Sequence, residues 1–223
     1  MRGKLAGKGF AAFAIGMLIV GLLVFLPAGT LHFPCGWLFC GILFIPMLVM
    51  GIVLLIRNPA LLEKRLSNKE SQSEQKAVVL LSALMFLLGF VLCGLDFRFQ
   101  WFPLSKWIPA AAAVIFLLGY LMYAEVLREN TYLSRTVEVQ KEQKVIDTGL
   151  YGIIRHPMYT ATILMFCTIP LVLGSLIALP VFLLYPVILV RRIRNEEQVL
   201  CEGLRGYRDY QKKVKYRLFP HIW

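Results

Sequence analysis

FAAFAIGMLIVGLLVFL, residues 10–26, decides the fold. It holds no charged and no polar side chain. A helix rises 1.5 Å per residue, so about 20 apolar residues cross the ~30 Å hydrocarbon core of a bilayer. Arg2, Lys4 and Lys8 precede the run, and Pro27 and Gly29 close it. A secretory signal also pairs a basic start with an apolar run. This run is long for a signal, and no small-x-small cleavage site follows, so a retained first membrane helix is expected.

Five further apolar blocks follow, at residues 36–56, 77–95, 107–126, 157–173 and 176–190. Residues 96–106 form a short turn carrying Phe97, Phe99, Trp101 and Phe102, the composition of an interfacial aromatic belt. Gly174-Ser175 separates the last two blocks so tightly that they read as a helical hairpin, and Pro180 and Pro186 interrupt its second arm. The chain is 58% hydrophobic and 17% charged, against roughly 45–50% and about 25% in soluble domains. Mean hydropathy is +0.68. The expected class is all-α: a polytopic integral membrane protein of about six transmembrane helices, the last two a short hairpin. Residues 1–126 hold helices one to four; residues 127–223 hold a polar loop, the hairpin and a basic tail.

The net charge of +11 follows the membrane topology. With the N-terminus inside and six crossings, 22 of the 24 Lys and Arg residues fall on inner segments, and only Arg98 and Lys106 fall outside. This satisfies the positive-inside rule at every loop and puts both termini in the cytoplasm. Basic inner loops account for the charge without nucleic acid, for which no motif is present. Cys35, Cys40, Cys93, Cys167 and Cys201 show no CxxC spacing, so neither a disulfide framework nor a metal site is expected. The interiors of the blocks hold no ionisable residue except Glu125 near the end of the fourth. That favours chemistry at the interface over a path through the bilayer.

Two polar clusters bracket the hairpin, which should bring them together at one membrane face. The first is residues 149–159, with Tyr151, Arg155, His156, Pro157, Met158 and Tyr159. Proline suits the first position of a helix, so Pro157 starts one and His156 caps it. The free N–H groups of a helix start attract an anion, and the tyrosines can pack on an adenine ring or face a cationic sulfonium. The second cluster is residues 191–197. Arg192 and Glu196 share a helical face, and Arg194 and Glu197 form another close pair. Ordinary helix-end packing and surface ion pairs also account for both clusters.

The pattern Gly149-x-Tyr151-x-x-x-Arg155-His156-Pro157-x-Tyr159, followed by Arg192-x-x-x-Glu196-Glu197, resembles the isoprenylcysteine carboxyl methyltransferase family and, more loosely, phospholipid N-methyltransferases. The ending from Gly206-Tyr207 through Tyr210 and Tyr216 to Pro220 looks like the bacterial branch. The resemblance covers residues 127 to the C-terminus. It departs from the common pattern in a shorter loop and in Leu204-Arg205-Gly206 where Phe-Gly is usual. It implies a cytosolic S-adenosylmethionine site lined by Tyr151, His156, Pro157, Met158, Tyr159 and Glu196. Gln143, Lys144, Val145 and Ile146 would add backbone contacts and Gln140 its side chain. Arg192 and Glu196 would carry the catalytic roles, Arg192 facing the acceptor.

The implied acceptor is lipophilic and arrives from the bilayer: an isoprenoid acid, a phospholipid, a thiol or a prenylated protein. The implied location is a bacterial inner membrane. Two other readings stay open. One is an NADPH-dependent reductase, since membrane sterol reductases resemble this family in their C-terminal region. The other is a transporter or structural membrane protein.

Overall fold

The computed structural model describes residues 2–66, 73–133, 137 and 139–223. Two of the cations assigned to inner loops, Lys69 and Arg135, lie outside the described residues. The described residues form helices and turns, with no strand among them. In chain order the helices are α1 Arg2–Ala28, α2 Pro34–Arg57, α3 Pro59–Leu66, α4 Ser73–Phe99, α5 Trp107–Glu129, α6 Pro157–Val172, α7 Leu179–Phe182, α8 Leu184–Gly203 and α9 Tyr207–Lys213.

Four helices are long and apolar enough to cross a membrane: α1, α2, α4 from Lys76 onward, and α5. Most of their apolar surface faces outward, as lipid contact requires. The chain is an integral membrane protein. The fifth and sixth apolar blocks differ from the four. α6 has 16 residues, about 24 Å of helix, and most of its side chains are buried among its neighbours. The sixth block divides into α7 and α8, and α8 runs without a break from its apolar start through Arg191 to Gly203. Pro180 and Pro186 stand in the first turns of these two helices, where a missing N–H is tolerated. They therefore start helices and do not interrupt one.

The hairpin is present. Gly174 takes φ +77, and past it the chain turns back. Phe182 O accepts from Cys167 Sγ, Tyr185 donates to Thr162, and Arg192 donates to Tyr159, so residue numbers fall on one arm as they rise on the other. At the tip, Ser175 Oγ donates to the buried Asp96 carboxylate at 2.6 Å, pinning the hairpin to the end of α4. One apolar core draws Phe39, Phe90, Phe116, Ile163, Phe182 and Ile193 from both sides of the division at residue 126.

Lipid tails are as apolar as leucine, so membrane helices associate by close packing, which small residues permit. A Cβ on Gly94 of α4 would stand 2.8 Å from the Val24 carbonyl oxygen and 3.0 Å from the Ala28 nitrogen of α1. A Cβ on Gly119 of α5 would meet Met165 at 2.8 Å and the Ala161 carbonyl at 3.1 Å. Backbone cannot yield as a side chain does, so Gly94→Val is expected to destabilise the protein by about 1–3 kcal/mol, the range for overpacking. Gly16, with nothing within 4 Å of its Cβ position, is the control. Thermal unfolding in detergent should show a lowered midpoint for Gly94→Val and none for Gly16→Ala.

Candidate functional site

The first cluster is shaped by the chain just before α6. Thr148 donates to Glu129 Oε1 at 2.7 Å, and Gly149, at φ +49, lies under the same carboxylate. A Cβ there would be 2.5 Å from both carboxylate oxygens and would displace the Glu129 side chain, and the left-handed backbone itself favours glycine. Residues 149–152 then form one 3-10 turn, which turns Tyr151 inward, its hydroxyl accepting from Asn130 Nδ2 at 3.0 Å. As expected, His156 is the N-cap of α6 and Pro157 its first residue.

The tail closes over this segment. Arg155 N donates to Tyr216 O and His156 N to Arg217 O, both at 2.9 Å. Thr160 Oγ1 donates to Leu218 O at 2.8 Å. Arg155 Nη1 reaches the carbonyls of Val214 and Lys215 at 2.8 and 2.7 Å.

Glu197 joins these pieces. The helical spacing suggests a surface pair with Arg194. Instead Glu197 turns inward beside Ile193, while Arg194 stays exposed. Residues 193 and 197 share the buried face of α8, and 194 does not. Its carboxylate accepts from Arg155 Nε at 2.7 Å, His156 Nε2 at 3.2 Å and Arg217 Nε at 2.8 Å. Burial works against the charge, but the bonds from His156 and Arg155, the charge of His156 and the bond from Arg217 outweigh it and hold the pKa at about 2.

A second set lies one turn away. Tyr159 donates to Glu196 Oε2 and accepts from Arg192 Nε at 2.8 Å. The pair expected from the i, i+4 spacing is thus also bridged through a tyrosine of the opposite arm. The His156 and Tyr159 rings lie 5.6 Å apart at 29°.

These sets form one wall of a pocket of about 870 Å³, its open mouth included. Tyr151, His156, Met158, Tyr159, Arg192 and Glu196 line it, and so do Gln143, Lys144, Val145 and Ile146 from the loop. Two expected residues do not. Pro157 is buried behind the wall and sets the start of α6. Gln140 braces the loop from outside: its side chain accepts from Lys64 and donates to Tyr132 O, and its backbone N donates to Gln143.

Several lining residues were not singled out in the sequence. Val199 and Leu200 follow Glu196 at helical spacing, so the amphipathic pattern of α8 could have found them. Tyr207 and Tyr210 belong to the tail motif but reach the pocket only because α9 folds back, with Tyr210 donating to Tyr151 O at 2.8 Å. Asn130, Tyr132 and Leu133 carry no local signal.

The wall suits S-adenosylmethionine. The Tyr207 hydroxyl is buried without a hydrogen-bond partner among the described residues, a cost relieved by a polar ligand. Burial pushes the phenols of Tyr151, Tyr207 and Tyr210 up, so all remain neutral. The Glu196 carboxylate suits a ribose hydroxyl or an ammonium group, and Val145, Leu200 and Leu204 offer an apolar face for a base.

Residues 111–202 match the sequence model of the isoprenylcysteine carboxyl methyltransferase family. The match takes in 92 of the 223 residues. The family region thus begins within α5 and ends within α8, spanning the loop, α6 and both polar clusters. The fold is similar to that of the eukaryotic intramembrane Ras methyltransferase, an isoprenylcysteine carboxyl methyltransferase: TM-score 0.57, 18% identity, covering 92% of this chain and 74% of that one.

Two curated relatives match in part. The Delta(14)-sterol reductase of Mus musculus is 31% identical over 91 residues, 40% of this chain and 22% of its own length. The nickel-cobalt-cadmium resistance protein NccN of Alcaligenes xylosoxydans xylosoxydans is 28% identical over 123 residues, 53% of this chain and 54% of its own. The chain therefore spans about a fifth and about half of the lengths of these relatives.

The Glu197 pKa sets a pH dependence. A carboxylate depressed in the folded state stabilises the fold above its unfolded pKa, and that contribution is lost as pH falls through the folded value. Stability from this family-region carboxylate should hold at pH 5–7 and fall between the ordinary 4.5 and about 2. Glu197→Gln leaves Arg155 buried without its counter-charge, which costs about 3–5 kcal/mol. Denaturation midpoints against pH should show the acid-side slope in the native protein and a lower, flatter profile in the variant.

Proposed function

We propose that the protein is an S-adenosylmethionine-dependent methyltransferase. Its acceptor is lipophilic and reaches the pocket from the bilayer, with carboxyl O-methylation favoured. The pocket opens toward the cytosol, as the distribution of Lys and Arg indicates. The observation that carries this reading is the Arg192–Tyr159–Glu196 bridge. It sets a cation and a carboxylate on one tyrosine, in the wall of a pocket flanked by apolar helices within the family region.

In this reading Tyr151, His156, Met158, Tyr159, Tyr207 and Glu196 hold the cofactor, with the backbone of residues 143–146. Pro157 contributes through the start of α6 and Gln140 through the loop. When bound, the cofactor would supply an activated methyl group, which an acceptor carboxylate oxygen would take with its own lone pair while sulfur kept the electron pair of the broken S–C bond. No proton moves, so the residues have only to position the partners. Glu196 holds the cofactor end, Arg192 the acceptor end, and Tyr159 fixes the distance between them.

A second reading, an NADPH-dependent reductase, draws on the partial match to the Delta(14)-sterol reductase. One experiment separates the two. S-adenosylmethionine binding to the purified protein is expected to be saturable, to weaken tenfold or more in His156→Ala and Glu196→Ala, and to weaken several-fold in Tyr207→Phe, about the loss of one hydrogen bond. NADPH should not displace it. Displacement by NADPH, or binding indifferent to all three substitutions, would refute the assignment.

A further inference from the structure

α3 lies outside the matched family region, yet its two cations meet the loop and the hairpin turn that shape the site. Asn58 precedes it, and its side chain accepts from Leu61 N at 3.1 Å. Pro59 begins the helix, and Leu61 and Leu62 are buried against Leu54 and Leu127. With that face fixed, Lys64 reaches the Gln140 side chain, bracing the loop. Arg65 turns toward the hairpin. Its Nη2 donates to the Tyr123 hydroxyl, its guanidinium stands 5.6 Å from the Tyr123 ring centre, and its Nη1 lies 4.0 Å from Met158 Sδ.

Met158 and Tyr159 are consecutive residues in the first turn of α6, and both line the pocket. Arg192, from α8, donates to the Tyr159 hydroxyl and stands 6.0 Å from that ring centre. Two guanidiniums, one from α3 and one from α8, therefore meet one turn. The N-terminus of α6 adds its own partial positive charge there. Tyr185 is within electrostatic reach of both Arg192 and Tyr123, and Tyr120 lies beside Tyr123 at 6.5 Å between ring centres. Because Tyr120 and Tyr185 sit on apolar stretches, this is the bilayer end of the site: aromatic, with two guanidiniums at the turn against the Glu196 carboxylate that Tyr159 also meets.

Placing arginine beside hydrocarbon is expensive unless the charge is used. A guanidinium is a planar fork of donors that matches a carboxylate, and a cationic surround disfavours an ammonium. We propose that Arg65 is a second anchor for the acceptor. Together with Arg192 it holds the carboxylate of a lipophilic acid at the Met158–Tyr159 turn and selects that acid over an amine. This rests on the methyltransferase reading above and adds a specificity residue from the N-terminal half of the chain.

The test compares the full-length native protein with Arg65→Gln and Arg65→Lys in detergent. A C15 isoprenoid carboxylic acid and the primary amine of the same chain serve as probes. Methyl transfer from labelled S-adenosylmethionine is measured alongside equilibrium binding of the cofactor and of the acid. Arg65→Gln should raise both KM and Kd for the acid by about tenfold or more, the loss of a charge-assisted hydrogen bond, while cofactor Kd stays within about twofold. Arg65→Lys should recover part of the loss, and the native protein should prefer the acid.

Unchanged acid binding in Arg65→Gln would overturn the proposal. So would an equal loss of cofactor affinity, which marks a structural role, or a native preference for the amine. A native protein that binds no S-adenosylmethionine would instead refute the methyltransferase reading, and the acid-binding comparison would still decide the role of Arg65.

Discussion

A single buried carboxylate gathers the site. Glu197 accepts from Arg155 and His156 at the start of α6 and from Arg217 in the tail, and it sits on the returning arm of the hairpin. Three separate stretches of chain are thereby held to one point. A charge in such a place is tolerated only because each oxygen is met by cationic or imidazole donors. The same contacts set where its neighbours point. With Glu197 turned inward, Glu196 and Arg192 face Tyr159 and the pocket, and Val199 and Leu200 extend that wall.

The apolar part of the protein serves this arrangement by fixing the hairpin. Its tip is tied to α4 through Ser175 and Asp96, and its first arm lies against α5 where Gly119 allows a close approach. The open end of the hairpin is then closed by the tail, whose residues 214–218 bond along residues 155–160. The result is a pocket with one polar wall and apolar helices behind it. That combination suits a reaction between a polar cofactor and a lipophilic acceptor.

Much of the site was legible because its residues obey local rules. Pro157 announces a helix start, His156 its cap, and Arg192 and Glu196 share a face by simple periodicity. Gly149, Tyr151 and the Arg-His-Pro-x-Tyr run carry the resemblance to the family; Tyr151, His156, Met158 and Tyr159 line the pocket, whereas Pro157 lies behind it. Periodicity misled at Glu197, which forms no surface pair. It is silent on Tyr207 and Tyr210, whose place depends on how α9 docks. It also gave no sign that α3 would reach the loop and the hairpin, because Gln140 and Met158, the partners of Lys64 and Arg65 there, lie 76 and 93 residues away in sequence.

Composition and block length determined that this chain is a helical membrane protein, since apolar runs of about 20 residues have no other stable place to go. Motif spacing marked the segments where chemistry would lie. Tertiary structure decided the rest: that α6 is short and mostly buried, that the sixth block divides between α7 and an α8 that continues past the apolar region to present Glu196 and Glu197, that the tail closes over the site, and that α3 packs beside it. The reason is physical. Hydropathy is a property of each segment and survives in one dimension, whereas a buried ion pair or a close helix contact exists only when distant segments meet.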